Sequence, residues 1–543
     1  MCNSNLKLKR QNMKNIKSTY IITLAVVVLI SLTSCLKDLN RKPFYEETSA
    51  TIYEDPNNYI HVLAKLYAGL AVSGQSGPAG NPDLAGIDEG FSQYLRQYWQ
   101  LQELPTDEAV IAWNDGTIQE LNKMTWSSQN EFVTVLYNRI MYQITLCNEF
   151  IRQTSEDNLD KRNFSESIKN TLRAYRAEAR FLKALSLWHG MDLYGNIPDI
   201  TDENKFPGSE YPNQITRKNL FKYIESELTS IENEITPVAQ SEYGRANQAA
   251  VWSLLARLYL NAEAHIQTPR YADAISYCNK VISSGYTLEP KYRNLFLADN
   301  NLSKEVIFPI CFDGINTRTY GGTCYLVHAP VGGGSWSAAD SFGISAGGWF
   351  GLRSTLAFYN QFPDTIDSRY MFFRGGQTND TIKNLGTFSQ GIGIRKFRNI
   401  TSTGAIGSDP VNFPDTDFPM FRLAEIYLTY AEAALKPGSG GDQGIALGYI
   451  NELRLRAYNN DPSYTLSSLT QEVLENERAR ELYWEGHRRT DLIRYGKFTD
   501  NQYIWPWKGG VQNGQSVANY YSLYPIPTAD LIANPNLLQN PGY

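Results

Sequence analysis

Covalent chemistry in this 543-residue chain concentrates at one cysteine. Cys35 closes the run Leu32-Thr33-Ser34-Cys35, downstream of a basic stretch (Lys7, Lys9, Arg10, Lys14, Lys17) and an apolar stretch from Ile21 to Ile30. A charged start, an apolar core of signal-peptide length and small residues before a cysteine form a lipoprotein export signal. The pattern predicts cleavage before Cys35 and acylation of its thiol and its newly exposed amine. An ordinary signal peptide with a chance cysteine is the competing reading, and Met13 is an alternative start that gives a more compact signal. The apolar run is shorter than the roughly 20 residues of a membrane-spanning helix.

No comparable concentration marks a catalytic centre. Asp107 and Glu108 are adjacent carboxylates, but a glycosidase pair must flank its substrate, and adjacency does not supply that. No nucleophile elbow, HExxH helix, phosphate loop or dinucleotide fingerprint is present. Glu477, Arg478, Arg480, Glu481, Glu485, Arg488, Arg489 and Asp491 crowd one helical stretch, where spacings of three and four favour ion pairing over catalysis. His487 among them reads as a satisfied helix residue. Cys147, Cys278, Cys311 and Cys324 lack metal-ligand spacing. The first two sit in helical patterns as small hydrophobes, and the last two flank a loop where an oxidising compartment would permit a disulfide.

Residues 1–34 hold five Lys and Arg and no acid, so removing them turns the formal charge of −6 into −11 over the remaining 509 residues. An acidic chain without a basic stripe excludes nucleic acid as partner. The aromatic content is high, with 35 Tyr, 23 Phe and 10 Trp, and many of these rings fall in polar, Gly-rich stretches where a core does not require them.

The elements that must position them are helical. Apolar periodicity predicts helices over 57–72, 130–154, 172–194, 217–234, 247–264, 272–283, 419–435, 443–457 and 471–495, with Gly195, Gly285, Pro437 and Gly496 as stop signals. Pairs such as Ala250/Leu254, Ala256/Leu260 and Ala431/Leu435 let neighbouring helices approach closely. Two long segments, 73–128 and 313–418, are rich in Gly, Pro, Asn and aromatics with little helical period. Long loops in a compact protein are usually functional, so these are the expected site.

Three stretches resemble signatures of the SusD/RagB family of outer-membrane nutrient-binding lipoproteins. They are Ala177-Glu178-Ala179-Arg180-Phe181-Leu182 through Asp192-Leu193-Tyr194-Gly195-Asn196-Ile197-Pro198, Phe421-Arg422-Leu423-Ala424-Glu425 through Ile450-Asn451-Glu452-Leu453-Arg454, and Glu477-Arg478-Ala479-Arg480-Glu481-Leu482 through Asp491-Leu492. Tyr524-Pro525-Ile526-Pro527 and Asn540-Pro541-Gly542-Tyr543 resemble the family's ending. The resemblance implies a mainly α, SusD-like fold in which degenerate tetratricopeptide-type helix pairs carry long irregular binding loops. It divides the chain into a signal (1–34), a lipid-anchored tether (35–56), an N-terminal helical region (57–312, with loop 73–128) and a C-terminal region (313–543, with loop 313–418).

The first loop region is similar to that of the family's starch-binding founder, through Pro82-Asp83-Leu84, Asp88-Glu89-Gly90, Glu103-Leu104-Pro105-Thr106-Asp107-Glu108 and Ile111-Ala112-Trp113. Ile111 departs from that pattern, which has tryptophan on both sides of the alanine. By this resemblance Trp113, Tyr320 and Trp349 form an aromatic arc for a helical α-glucan, Arg96 bonds sugar hydroxyls, and Asn114 or Asp115 is a polar partner. Tyr94, Tyr98, Trp99, Trp126, Tyr325 and Trp336 are secondary candidates. The implied role is capture of oligosaccharide, starch-like as first choice, for a SusC-like TonB-dependent transporter. The membrane is reached by the lipid anchor alone, on the outer membrane and facing outward, without enzymatic activity. A peptide-binding or scaffolding lipoprotein of the same family is the alternative. No cofactor is required; the resemblance leaves room for a structural calcium away from the sugar site, with Asp299, Asn301, Asp415 and Asp417 as candidate ligands, though these read first as loop caps and turns.

Overall fold

The computed structural model describes residues 49–543 except 79–81, 85, 206, 207, 209, 333–340 and 375. Cys35 with its signal, and Trp336, therefore lie outside the described residues. Two units are distinguished, 1–58 and 59–543; the second contains almost all the described structure.

The helices used below are α1 (Asn58–Ala71), α2 (Tyr94–Glu103), α3 (Glu131–Gln153), α4 (Glu166–Tyr194), α5 (Arg217–Ile231), α6 (Gln248–Leu260), α7 (Tyr271–Ile282), α8 (Gly322–His328), α9 (Leu423–Ala434), α10 (Gln443–Ala457), α11 (Gln471–Leu482) and α12 (Arg488–Arg494). The strands are β1 (Val110–Ile111), β2 (Val306–Ile310), β3 (Leu352–Arg353) and β4 (Phe418–Arg422). The chain is mainly helical. Helices pack as sequential neighbours, α3 on α4, α4 on α5, α6 on α7 and α9 on α10, while α7 on α9 joins the earlier helices to the later ones. Among the described residues no helix is long and apolar enough to cross a membrane.

Local sequence sets the helix starts. Asn130 accepts from the N–H groups of Phe132 and Val133 at the head of α3, and Asn247 does the same for Ala249 and Ala250 at the head of α6. Each such cap satisfies donors that the helix itself cannot, and is worth about 1 kcal/mol. The predicted helix over 247–264 stops at Leu260, and a short helix, Ala262–Ile266, follows. The stretch 73–128 is less irregular than its composition indicates, because it contains α2, every residue of which is buried.

Two other predicted helices are corrected by the fold. The helix expected over 419–435 begins only at Leu423; Phe418–Arg422 is instead β4, antiparallel to β2. Phe418, Met420 and Phe421 are buried, and a short run apolar on both sides does not distinguish strand from helix by periodicity. Pro419 faces Pro309 in the ladder beside a register shift, the kind of irregularity at which strand prolines, which lack an N–H, are tolerated. The helix expected over 471–495 is broken: α11 ends at Leu482 and α12 starts at Arg488, with Trp484 at φ 62° and Gly486 at φ 79° between them. The cause is tertiary. Glu108 takes the Trp484 N–H at 2.8 Å, while one oxygen of Glu103 takes those of Gly486 (2.6 Å) and His487 (3.1 Å). His487 is buried here at the entrance to α12.

The acidic and basic residues of α11 form a buried network. Arg422, at the end of β4, donates to Glu305 (2.8 Å), Glu481 (2.7 Å) and Glu485 (2.6 Å). Arg369 donates to Asp367 and Glu477, Lys396 to Glu485, and Arg456 to Glu305 and Glu481. Burial alone would raise the Glu477 carboxyl, but Arg369, Arg480 and Arg454 overcome this and hold it at about 2.

Candidate functional site

Strand pairing builds the site. β1 and β3 are antiparallel, with Val110 opposite Arg353 and Ile111 opposite Leu352, and the Ala112 N–H continues the ladder to the Gly351 carbonyl at 2.8 Å. The residues just beyond the ladder, Trp113 and Trp349, are thereby brought together from two segments far apart in the chain. Their ring centroids lie 6.4 Å apart with planes at 41°, and the Trp113 indole N–H donates to the Trp349 carbonyl at 2.8 Å. A Cβ on Gly351 would stand 2.7 Å from the Trp113 ring, so this close approach requires glycine.

Tyr320 completes the group from a third segment. Its ring lies 6.1 Å from Trp349 at 65° and 5.4 Å from Phe413. Gln93 fixes that segment: its amide donates to the carbonyls of Leu70 and Ala71 at the end of α1, and its oxygen accepts from Arg96 N at the head of α2 and Gly322 N at the head of α8. A Cβ on Gly321 would come within 2.4 Å of the Gln93 side chain. The three predicted rings thus form a continuous, half-buried row in the order Tyr320, Trp349, Trp113.

The row is backed from inside. His328 stacks on Trp349 at 4.7 Å and 16°, and its two ring nitrogens face the carbonyls of Gly347 (2.9 Å) and Asn412 (2.6 Å). Burial pushes its imidazole below the ordinary value, against the pull of those carbonyls. Behind Trp113 runs a column of buried rings, Tyr325, Trp99 and Trp484, with successive centroids 5.9, 5.7 and 5.2 Å apart. Such edge and offset contacts are the favourable geometries for aromatic rings. They leave Trp113 and Trp349 little freedom to turn.

Arg96, the expected donor to sugar hydroxyls, also has a bracing role. It is 4 % exposed, and its Nη1 donates to the carbonyls of Gly90 (2.6 Å) and Tyr320 (3.3 Å). The guanidinium lies over Tyr325, Phe91 and Trp113. It braces the Gly90 and Tyr320 segments, leaving Nη2 without a protein acceptor among the described residues. Asn114 and Asp115 are exposed beside Trp113. Of the secondary candidates, Tyr94, Tyr98, Trp99, Trp126 and Tyr325 are all buried to within 2 % and pack the core. His328, Gln93 and Phe413 were missed, since neither their type nor their spacing stands out in the sequence.

The adjacent carboxylates are structural. Asp107 holds Arg488 through both oxygens (2.7 and 2.9 Å) and accepts from the Tyr503 hydroxyl. Burial raises the Glu103 carboxyl to about 7 and, together with Glu103 itself, raises Glu108 well above its ordinary value. A carboxyl raised in the fold stabilises the folded state least at high pH: that contribution is intact below about 4.5, the unfolded value, and is lost as pH rises towards 7. Glu103→Gln keeps the acceptor for Gly486 and His487 and removes the titration. Its denaturant midpoint should exceed that of the unaltered protein at pH 8, by about 1–3 kcal/mol in stability, and match it at pH 4.5. Equal midpoints at both pH values would refute the assignment.

Three of the four calcium candidates are engaged as acceptors within the protein. Asp299 accepts from the backbone and hydroxyl of Ser402, Asp415 from Gly314 and Ser408, and Asp417 from Phe312 N and the Tyr243 hydroxyl. Among the described residues no group of three or more His, Cys, Asp or Glu could hold a metal ion. Cys311 and Cys324 are both free thiols. A cleft of about 570 Å³ lies elsewhere, between α1 and the segment 308–318, and none of the predicted site residues lines it.

A helical scaffold presenting an open aromatic row is the architecture of a binding protein, and the comparisons name its family. The profile of the SusD family matches residues 340–543. The starch-binding protein SusD of Bacteroides thetaiotaomicron is 37% identical over 98% of this chain and 99% of its own length. SusD-like protein P25 of Formosa agariphila is 26% identical over 68% of this chain and 73% of its own. Among solved structures, a SusD superfamily protein from Bacteroides vulgatus superposes with a TM-score of 0.68 at 19% identity, covering 90% of this chain and 99% of that one. Surface glycan-binding protein A from Bacteroides fluxus gives 0.66 at 20% identity over 90% and 99%. The chain belongs to the SusD family.

Proposed function

We propose that this protein is a cell-surface glycan-binding lipoprotein, not an enzyme, which captures a starch-like oligosaccharide on the row Tyr320–Trp349–Trp113. One observation carries the reading: three half-buried rings from three segments, each backed by protein, form one continuous open surface. A pyranose presents C–H groups on its face and hydroxyls at its edge. Flat rings offer large contact area at low rotamer cost, and planes tilted by 41° and 65° suit a curved chain more than a flat one. The exposed Asn114 and Asp115 and the remaining Nη2 of Arg96 would take edge hydroxyls, which fix register more than strength. The relatives named for starch and surface glycan support the same ligand class. Such contacts compete with water, so affinity for short oligosaccharides should be roughly 10 µM to 1 mM, or about −4 to −7 kcal/mol.

Family resemblance supplies the rest of the proposal: an anchor at Cys35 on the outer membrane, facing outward, and delivery to a SusC-like TonB-dependent transporter. No metal enters the site. In native electrophoresis the protein should be retarded by starch in the gel, equally with and without EDTA, and should release no reducing sugar from it. Free migration through starch, together with a peptide hit and no hit on a glycan array, would overturn the reading in favour of a peptide binder.

A further inference from the structure

Next to the row stands a pair of aromatic rings with no part in the site as described. Phe350, which directly follows Trp349, is 52 % exposed and sits at φ 55°. That region is disfavoured for a residue with a Cβ, and such strain persists only where surrounding structure imposes it. Here it is imposed. The N–H groups of Trp349, Phe350, Gly351 and Leu352 donate in turn to the carbonyls of His328, Val331, Ala329 and Ala329 at 2.8–3.0 Å. The exposed ring is held outward by a fixed backbone.

Its partner is equally fixed. Phe388 is half-buried and meets Phe350 edge-on at 5.6 Å and 70°. Its turn, 384–390, is anchored by Leu385 and Ile382 packing on Val110 of β1 and by Arg353, which donates to the Gln390 and Leu385 carbonyls. The same turn lies beside Trp113, since Gly386 faces the Ala112 carbonyl. The two phenylalanines are therefore tied to the residues flanking Trp349 and Trp113.

The geometry points to Phe350 and Phe388 as an additional aromatic subsite beside the row that binds further units of a longer glucan chain. This rests on the proposed glycan-binding function and adds to it a chain-length preference. One exposed and one half-buried phenyl ring contribute contact area without hydrogen-bonding groups, so the subsite would add affinity without selecting linkage. A short oligosaccharide spanning only the three-ring row would not reach it.

Isothermal titration with maltotriose and maltoheptaose separates the two ideas. The unaltered protein should bind maltoheptaose at least 10-fold more tightly than maltotriose. The double variant Phe350→Gly/Phe388→Ala, in which glycine relieves the positive φ and preserves the backbone, should bind maltotriose within 2-fold of the original. It should lose 5- to 20-fold towards maltoheptaose, and Phe350→Tyr should keep the preference. Equal losses for both sugars, or none for either, would overturn the subsite while leaving the three-ring row intact. No binding of either sugar by the unaltered protein would overturn the glycan-binding reading and the subsite with it.

Discussion

Replacing Trp113, Tyr320 and Trp349 together by alanine is expected to abolish retention in a starch gel, weakening the affinity at least 100-fold. With a total binding energy of only about −4 to −7 kcal/mol, three lost stacking surfaces of the order of 1 kcal/mol each or more leave too little to detect. Single substitutions should rank by position in the row. Trp349→Ala should cost most, since its ring touches both Trp113 and Tyr320 and carries the His328 stack. Trp113→Ala and Tyr320→Ala should each cost less. All three rings are only half-buried, so the variants should fold, which circular dichroism would verify. Unchanged migration of the triple variant would show that the row is not the site.

The largest effect on stability is expected from Arg422→Ala. Its guanidinium is shared by three buried carboxylates, Glu305, Glu481 and Glu485, and removing it leaves negative charges buried without their main partner. Breaking a buried pair in this way costs about 3–5 kcal/mol. Acid should act in the same direction. Carboxyls held low by the network, such as Glu477 at about 2, stabilise the fold above about 4.5, and this is lost as pH falls towards 2. Urea denaturation at pH 7 should show the loss, and acid unfolding of the variant should begin at a higher pH. A change below about 1 kcal/mol would mean that the network relaxes around the gap.

The resemblance made the candidate row legible: it names Trp113, Tyr320 and Trp349, which stand in the two long loop-like stretches, and the fold joins them. Tyr98, Trp99 and Tyr325 stand in similar company and are buried, because α2 and α8 pack where composition indicates only loop. Sequence reports the type of a ring; whether its face reaches water depends on the element across from it. The same limit applies to Arg96, whose bracing of two segments the sequence does not announce, and to His328, whose stack on Trp349 and two carbonyl partners come from elsewhere in the chain. The helix over 471–495 was misread for a related reason. Its break is imposed by Glu103 and Glu108, which periodicity within the stretch does not reveal.

That break has a consequence for the order of assembly. The segment carrying Arg96 and Trp113 is secured by Glu103, Asp107 and Glu108, whose partners Gly486, Arg488 and Trp484 lie 383, 381 and 376 residues further along. Contacts this distant in sequence close late and slowly, since a long stretch of chain must be ordered before they form. An early-made part of the binding surface thus waits for one of the last helices to be made. A chain stopped short of Trp484 would carry every residue of the aromatic row and still lack the clasp that holds it in register.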